Sequence, residues 1–198
     1  MSDPSKSALI LIEYVNDWLS PTGGIYPVFQ DREQVDTAIA NSKIILEEAR
    51  RRGMHVIHAA LKFEPTFKVL GEPKYGLRKI TRDHGAFLGE QADFFLGFEP
   101  AEGEHVVRER AGGSSVFVGT TLDGYLRNNR INEIYLSGFS LRQCVESSMR
   151  NAHDLGYDTN IIYAASAGYT RKQRDDFVAE IAPFYANAIT AQEFVGKA

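Results

Sequence analysis

The chain has one cysteine in 198 residues, so no disulfide can form within it. That excludes the stapled build of small secreted domains and makes a reducing, cytoplasmic setting the expectation. Long apolar runs are missing too. The opening run, residues 8–12, stops at Glu13, well short of the roughly 18 residues a membrane helix needs. The first residues show no charged segment leading into a long apolar one, so no export leader is expected. Basic excess is also absent: 22 Lys and Arg stand against 26 Asp and Glu. The net charge of −4 leaves no electrostatic footprint for nucleic acid or an anionic membrane. No repeat, low-complexity tract or linker interrupts the chain.

What is present is ordinary for a globular protein, with 43% hydrophobic and 24% charged residues. Residues 1–198 are enough for one domain with a sizeable core. Short apolar runs alternate with segments of helical period. Strands are expected at 8–13, 55–61, 105–110, 133–139 and 159–165, with a short segment at 187–190. Helices are expected at 32–52, 119–130, 142–155 and 171–183. In the first, Val35, Ala38, Ile39, Ile45, Leu46 and Ala49 recur at three-and-four spacing, and Gly53 ends it. The alternation predicts an α/β fold, a three-layer α/β/α sandwich on a mostly parallel sheet of about six strands. Residues 62–104 are irregular, which marks a functional segment, an interface or a wrap over one sheet edge.

Ligands of such sheets bind beyond the carboxyl ends of the strands. Two stretches reach that rim. In "ALILIEYVNDW" a buried strand runs straight into Glu13, an expensive place for a carboxylate. In "SGFSLRQCVESSMRNAHDLGY" a strand ends at Gly138, and Cys144 falls in the first turn of the next helix. The unpaired N–H groups there favour a thiolate and an attacked carbonyl's oxyanion. A nearby carboxylate would take the thiol proton. A lone cysteine is otherwise a small buried hydrophobe.

These stretches, with "HVVRERAGGSSVFVGTTLDGYLRNN", "IIYAASAGY" and "ITAQEF", resemble the isochorismatase-like cysteine hydrolases over nearly the whole chain. That family includes nicotinamidases, carbamoylsarcosine amidohydrolases and isochorismatases. The resemblance implies an Asp–Lys–Cys triad, a covalent intermediate on the cysteine and a non-proline cis bond before its helix. Carried over, Cys144 is the nucleophile. The cis bond falls at Ser140–Leu141, and the N–H groups of Leu141 and Cys144 line the oxyanion hole. Dimers or tetramers are implied as well.

This chain departs from the pattern at two triad positions. Glu13 stands in place of Asp. The lysine position falls on Glu109 or, with one inserted residue, on Arg110, the favoured cation; Arg108 is a weaker candidate. On a strand Arg108 and Arg110 share a face and Glu109 points away. Trp18 and Tyr14 are candidate pocket walls, Tyr14 with a core position as the alternative. Ser114 or Ser115 is either a substrate contact or part of a turn. Near His58 there is no Asp-x-His pair, so no metal is expected, nor any cofactor. His58 is expected to be packed or hydrogen-bonded.

The implied activity is hydrolysis of an amide, ureido or carbamoyl C–N bond in a small molecule. Two alternatives stand beside it. One is a binding or regulatory protein on the same fold. The other is a vinyl-ether hydrolase with Glu13 as the acid.

Overall fold

A computed structural model describes residues 3–108 and 110–196. In chain order the elements are β1 (Ser7–Ile12), α1 (Asn16–Leu19), α2 (Arg32–Arg52), β2 (His55–Ala59), α3 (Gly76–Asp83), β3 (His105–Val107), α4 (Leu122–Asn128), β4 (Glu133–Gly138), α5 (Glu146–Asp154), β5 (Asp158–Ile162), α6 (Arg171–Asp176), β6 (Asn187–Ile189) and α7 (Ala191–Gly196). The strands form one six-stranded sheet in the order β3-β2-β1-β4-β5-β6. Every adjacent pair is parallel.

Strand alternation distributes β1 between two cores. Leu9 and Leu11 pack with Val35, Ala38, Ile45 and Leu46 of α2 and with Phe194 of α7. Ala8, Ile10 and Ile12 face the other way, towards Leu122 and Leu126 of α4, Met149 and Ala152 of α5, and Phe177. With helices on both faces this is the expected three-layer sandwich. Helix α2 carries its own start and stop. Asp31 accepts the Gln34 N–H at 3.0 Å, and Gly53 closes the far end in the left-handed region at φ 68°.

Several expected elements differ in extent: the helix at 119–130 is Leu122–Asn128, and the strands at 55–61 and 159–165 are His55–Ala59 and Asp158–Ile162. The strand expected at 105–110 ends at Val107, because the chain turns there: the Arg110 N–H bonds the Arg108 carbonyl and the Gly112 N–H bonds the Arg110 carbonyl. The helix at 142–155 opens with a π-helical turn over Leu141–Val145 before α5 begins. The segment at 171–183 is α6 followed by a π-helical turn and a short 3₁₀ turn. Within 62–104 lie α3 and two short 3₁₀ turns.

From β1 the strand order runs outward one way through β2 and β3, and the other way through β4 to β6. The crevice of such a sheet opens where the order reverses, between β1 and β4. Gly138 allows the two strand ends to meet there: a Cβ on it would lie 2.0 Å from the Ile12 carbonyl oxygen. Glu13 follows β1 and Cys144 follows β4, so both emerge at the reversal point.

Candidate active site

Glu13 leaves the strand in a left-handed conformation, φ 60°, which is costly for a residue with a side chain. Its N–H still extends the ladder, donating to the Ala59 carbonyl at 2.8 Å. The turned carboxylate is fully buried. One oxygen accepts the Leu61 N–H at 3.0 Å, and the other pairs with the Arg110 guanidinium.

Arg110 reaches this carboxylate from the turn after β3. Its other terminal nitrogen donates to the carbonyls of Gly113 at 2.9 Å and Ser114 at 2.7 Å, so residues 110–114 wrap around their own cation. The guanidinium is also close enough to Cys144 to favour its thiolate electrostatically. A side-chain contact between the guanidinium and the Cys144 sulfur favours both charged forms. Arg108 goes elsewhere. It donates to the Ala92 carbonyl and lies 4.4 Å from the centre of the Phe94 ring. Glu109, the other candidate for the lysine position, lies outside the described residues.

Cys144 sits in the π-helical turn, 2% exposed. Ser148 fixes its backbone: its hydroxyl donates to the Cys144 carbonyl at 2.6 Å and accepts the Val116 N–H at 3.0 Å. The helix start was expected to lower the thiol pKa. Instead burial, with the Glu13 charge, pushes it up to about 11 despite Arg110. Burial also raises Glu13, against the pull of Arg110 and the Leu61 N–H. The two acids share one cation, so a second buried negative charge would be uncompensated. Between them the two acids therefore keep a proton that belongs to the pair.

Several expected contacts fall in other places. The cis bond is Phe139–Ser140, one residue earlier than expected. The Leu141 N–H is not free for an oxyanion, because it donates to the Ala167 carbonyl at 2.8 Å where the chain continues beside β4. The Ser140 hydroxyl is buried without a bond of normal geometry, and its polar neighbour is the Tyr169 hydroxyl.

Tyr14 is a core residue rather than a pocket wall. The turn at Glu13 sends it under α2, where its hydroxyl donates to the Ala165 carbonyl at 3.0 Å and bonds the hydroxyls of Ser42 and Ser137. Ser115 is buried and accepts the Phe117 N–H at 3.2 Å, which makes it part of a turn. His58 is buried, its Nε2 2.7 Å from Glu104. Among the described residues no three His, Cys, Asp or Glu side chains gather as a metal site.

A pocket of about 250 Å³ leads to Cys144. Trp18, expected at the rim, forms one wall. The other walls were not foreseen: Leu61, Leu77, Ile80, Phe87 and Tyr169. Tyr169 closes "IIYAASAGY", the single sequence signal that pointed to it. Leu77, Ile80 and Phe87 come from the irregular 62–104 segment, where no periodicity marks them. Asp17 holds two sides of the pocket together, accepting the N–H groups of Gly24 at 2.8 Å and Phe87 at 2.5 Å. No described helix is long and apolar enough to cross a membrane.

Residues 7–193 match the model of the isochorismatase domain. A curated relative, the uncharacterized isochorismatase family protein YwoC of Bacillus subtilis, is 26% identical over 197 residues, covering 98% of this chain and 94% of that one. Among solved structures, a cysteine hydrolase from Pseudomonas syringae pv. phaseolicola superposes with a TM-score of 0.84 at 18% identity, covering 99% of this chain and 93% of that one. The N-carbamoylsarcosine amidase of Thermoplasma acidophilum superposes with a TM-score of 0.71 at 19% identity, covering 94% and 96%. At these identities the likeness establishes the fold.

Proposed function

The chain belongs to the isochorismatase family of hydrolases, and on that footing we propose that it cleaves a C–N bond of a small molecule through Cys144. The observation that carries this reading is the buried meeting of Glu13, Arg110 and Cys144 at the sheet's reversal point. Glu13 takes the thiol proton as the sulfur attacks the carbonyl carbon and an S–C bond forms. Arg110 balances the negative charge throughout. The Cys144 N–H is the donor assigned to the oxyanion. Glu13 then returns the proton to the leaving nitrogen, and the C–N bond breaks. Water attacks the thioester, giving a proton to Glu13, and the C–S bond breaks. That proton passes back to the sulfur.

Arginine holds its proton too tightly to act as an acid, so Glu13 alone carries it. This reading includes a cytoplasmic location and a homo-oligomer, dimer or tetramer, which light scattering checks. The direct test is ammonia or amine release from a panel of small amides, ureides and carbamoyl compounds. Cys144→Ala abolishes release, and the intact mass of rapidly quenched enzyme shows an acyl adduct on Cys144. Turnover that survives Cys144→Ala would instead favour the vinyl-ether reading. The raised proton affinity of Glu13 supports that second reading, since a buried acid keeping its proton can protonate an enol ether.

A further inference from the structure

The segment that ties up one hydrogen-bond donor beside Cys144 delivers another. Phe139 bridges to Ala167, and the Leu141 N–H is spent on the Ala167 carbonyl at 2.8 Å. The chain from Ala167 therefore runs beside the turn that carries Cys144, and two residues on, Tyr169 joins the pocket wall with it. The Tyr169 backbone is held on both sides. Its carbonyl accepts the Gln30 N–H at 2.9 Å, and its N–H donates to the Gln173 side chain at 3.0 Å. Its ring stacks on Trp18 at 6.4 Å between centres and meets Phe29 edge-on at 6.1 Å. A ring fixed in this way offers its hydroxyl at one place.

That place is polar in a largely apolar pocket. Besides Cys144, the polar side chains on its lining are Thr81, His84, Gln143 and Tyr169 among the described residues. Thr81 lies in α3 and His84 just after it, with the His84 Nδ1 on the Ile80 carbonyl at 2.9 Å. The Tyr169 hydroxyl instead has Ser140 and Gln143 as neighbours, on the turn of Cys144 itself. Both can donate to the phenolic oxygen, which leaves its own O–H for a third partner. Burial raises the Tyr169 pKa and a charge on Cys144 raises it further, so the group stays a neutral donor and is no base.

A carbonyl attacked by Cys144 needs such a donor. The Ser140 carbonyl accepts the N–H groups of Gln143 at 3.1 Å and Val145 at 3.4 Å and passes over that of Cys144. With the Leu141 N–H committed, the Cys144 N–H is the one backbone donor assigned to the developing charge.

We propose that the Tyr169 hydroxyl is the second oxyanion donor of this site. This rests on the cysteine hydrolase reading above and adds a catalytic residue to it. As the sulfur bonds the carbonyl carbon, the C=O electron pair moves onto oxygen. Tyr169 hydrogen-bonds that oxygen and keeps its proton. When the pair returns, the C–N bond breaks and the hydrogen bond weakens. The same donor serves the thioester when water attacks it.

Tyr169→Phe tests this, because it keeps the ring between Trp18 and Phe29 and removes the hydroxyl alone. Two readouts are independent of each other. One is kinetic, on any amide, ureide or carbamoyl compound that the protein turns over. The other uses acetaldehyde, isobutyraldehyde and benzaldehyde labelled with carbon-13 at the carbonyl. Attack by Cys144 gives a thiohemiacetal whose oxygen takes the oxyanion's position. Its resonance is titrated by NMR, with Cys144→Ala as the blank. In Tyr169→Phe, kcat is expected to fall about 100-fold with KM little changed, and the adduct to weaken by a similar factor. A ring that serves only as a wall would shift KM alone and leave the adduct unchanged, and either result overturns the inference. Absence of an adduct with all three aldehydes in the unaltered protein also overturns it. An adduct weakened by Tyr169→Phe, in a protein that releases neither ammonia nor amine, upholds Tyr169 as the donor and defeats the C–N reading beneath it.

Discussion

Arg110 and Glu13 form an ion pair in which neither side chain is exposed to solvent. Removing one partner strands the other charge. Glu13→Gln is expected to cost about 3–5 kcal/mol, the range for breaking a buried pair. Glu13→Gln with Arg110→Met removes both charges and recovers most of that loss, while remaining inactive. Urea unfolding of the two variants checks this. A cost below about 1 kcal/mol for the single variant, typical of exposed pairs, would show that water reaches the site.

Cys144 makes stability depend on alkaline pH. Its proton is held more tightly in the fold than in the unfolded chain, so its contribution is complete below the unfolded value and fades as pH climbs towards 11. The rise from 9.0 to about 11 corresponds to about 2.7 kcal/mol when fully lost. Between pH 8 and 10.5 the protein should therefore lose more stability than Cys144→Ser does. Parallel urea midpoints for the two would show that the thiol is not buried as described. Iodoacetamide labelling should still be accelerating above pH 9.

On the proposed mechanism, Glu13 sets the acid limb of activity: it must be ionised to accept the thiol proton, and burial raises its pKa. Activity therefore falls on acidification at a pH above the ordinary glutamate range. A profile of kcat/KM against pH checks this in the absence of substrate-bound shifts. Glu13→Asp keeps the carboxylate but shortens its reach, so kcat should fall about 100-fold for a displacement of roughly an ångström. A limb at or below the ordinary glutamate value would contradict the burial of the site.

Gly138 and Gly156 both have positive φ, yet they predict different outcomes. A Cβ at 138 meets the Ile12 backbone, whereas a Cβ at 156 meets nothing within 4 Å. Gly138→Ala should cost about 4 kcal/mol or more, and Gly156→Ala only the left-handed penalty of about 1–2 kcal/mol. Thermal unfolding of the pair separates steric contact from backbone conformation. Similar losses would mean that β1 and β4 yield at their ends.

Much of this arrangement is legible in the sequence because it depends on local period. The run at 8–12 is apolar at every position, and a strand covered on both faces needs that. The spacing through Val35, Ala38, Ile45 and Leu46 reproduces α2 residue for residue. Glu13 and Cys144 were placed together because each follows a strand at the rim. Features set by tertiary contact did not show. The left-handed turn at Glu13 has no glycine to announce it, so the path of Tyr14 into the core was open. The hydrogen bonds from Arg110 to Arg108 and from Gly112 to Arg110 replace the strand on which Arg108 and Arg110 would have shared a face. The raised thiol pKa reflects the depth of the site, which no local pattern encodes. Leu77, Ile80 and Phe87 belong to a segment without a period.

The position of β1 in the sheet bears on how the chain is made. It precedes the other five strands of the sheet in the chain, yet it lies between β2 and β4. Its β4 flank, Glu133–Gly138, cannot pair until about two-thirds of the chain has left the ribosome. Until then "SALILI" presents an unpaired apolar edge, the kind of edge that recruits other chains. Glu13, Arg110 and Cys144 likewise come together only after that late pairing. A nascent or truncated chain lacking β4 therefore carries the aggregation hazard without the assembled site, and on the proposed mechanism catalytic competence reports that the central pairing has closed.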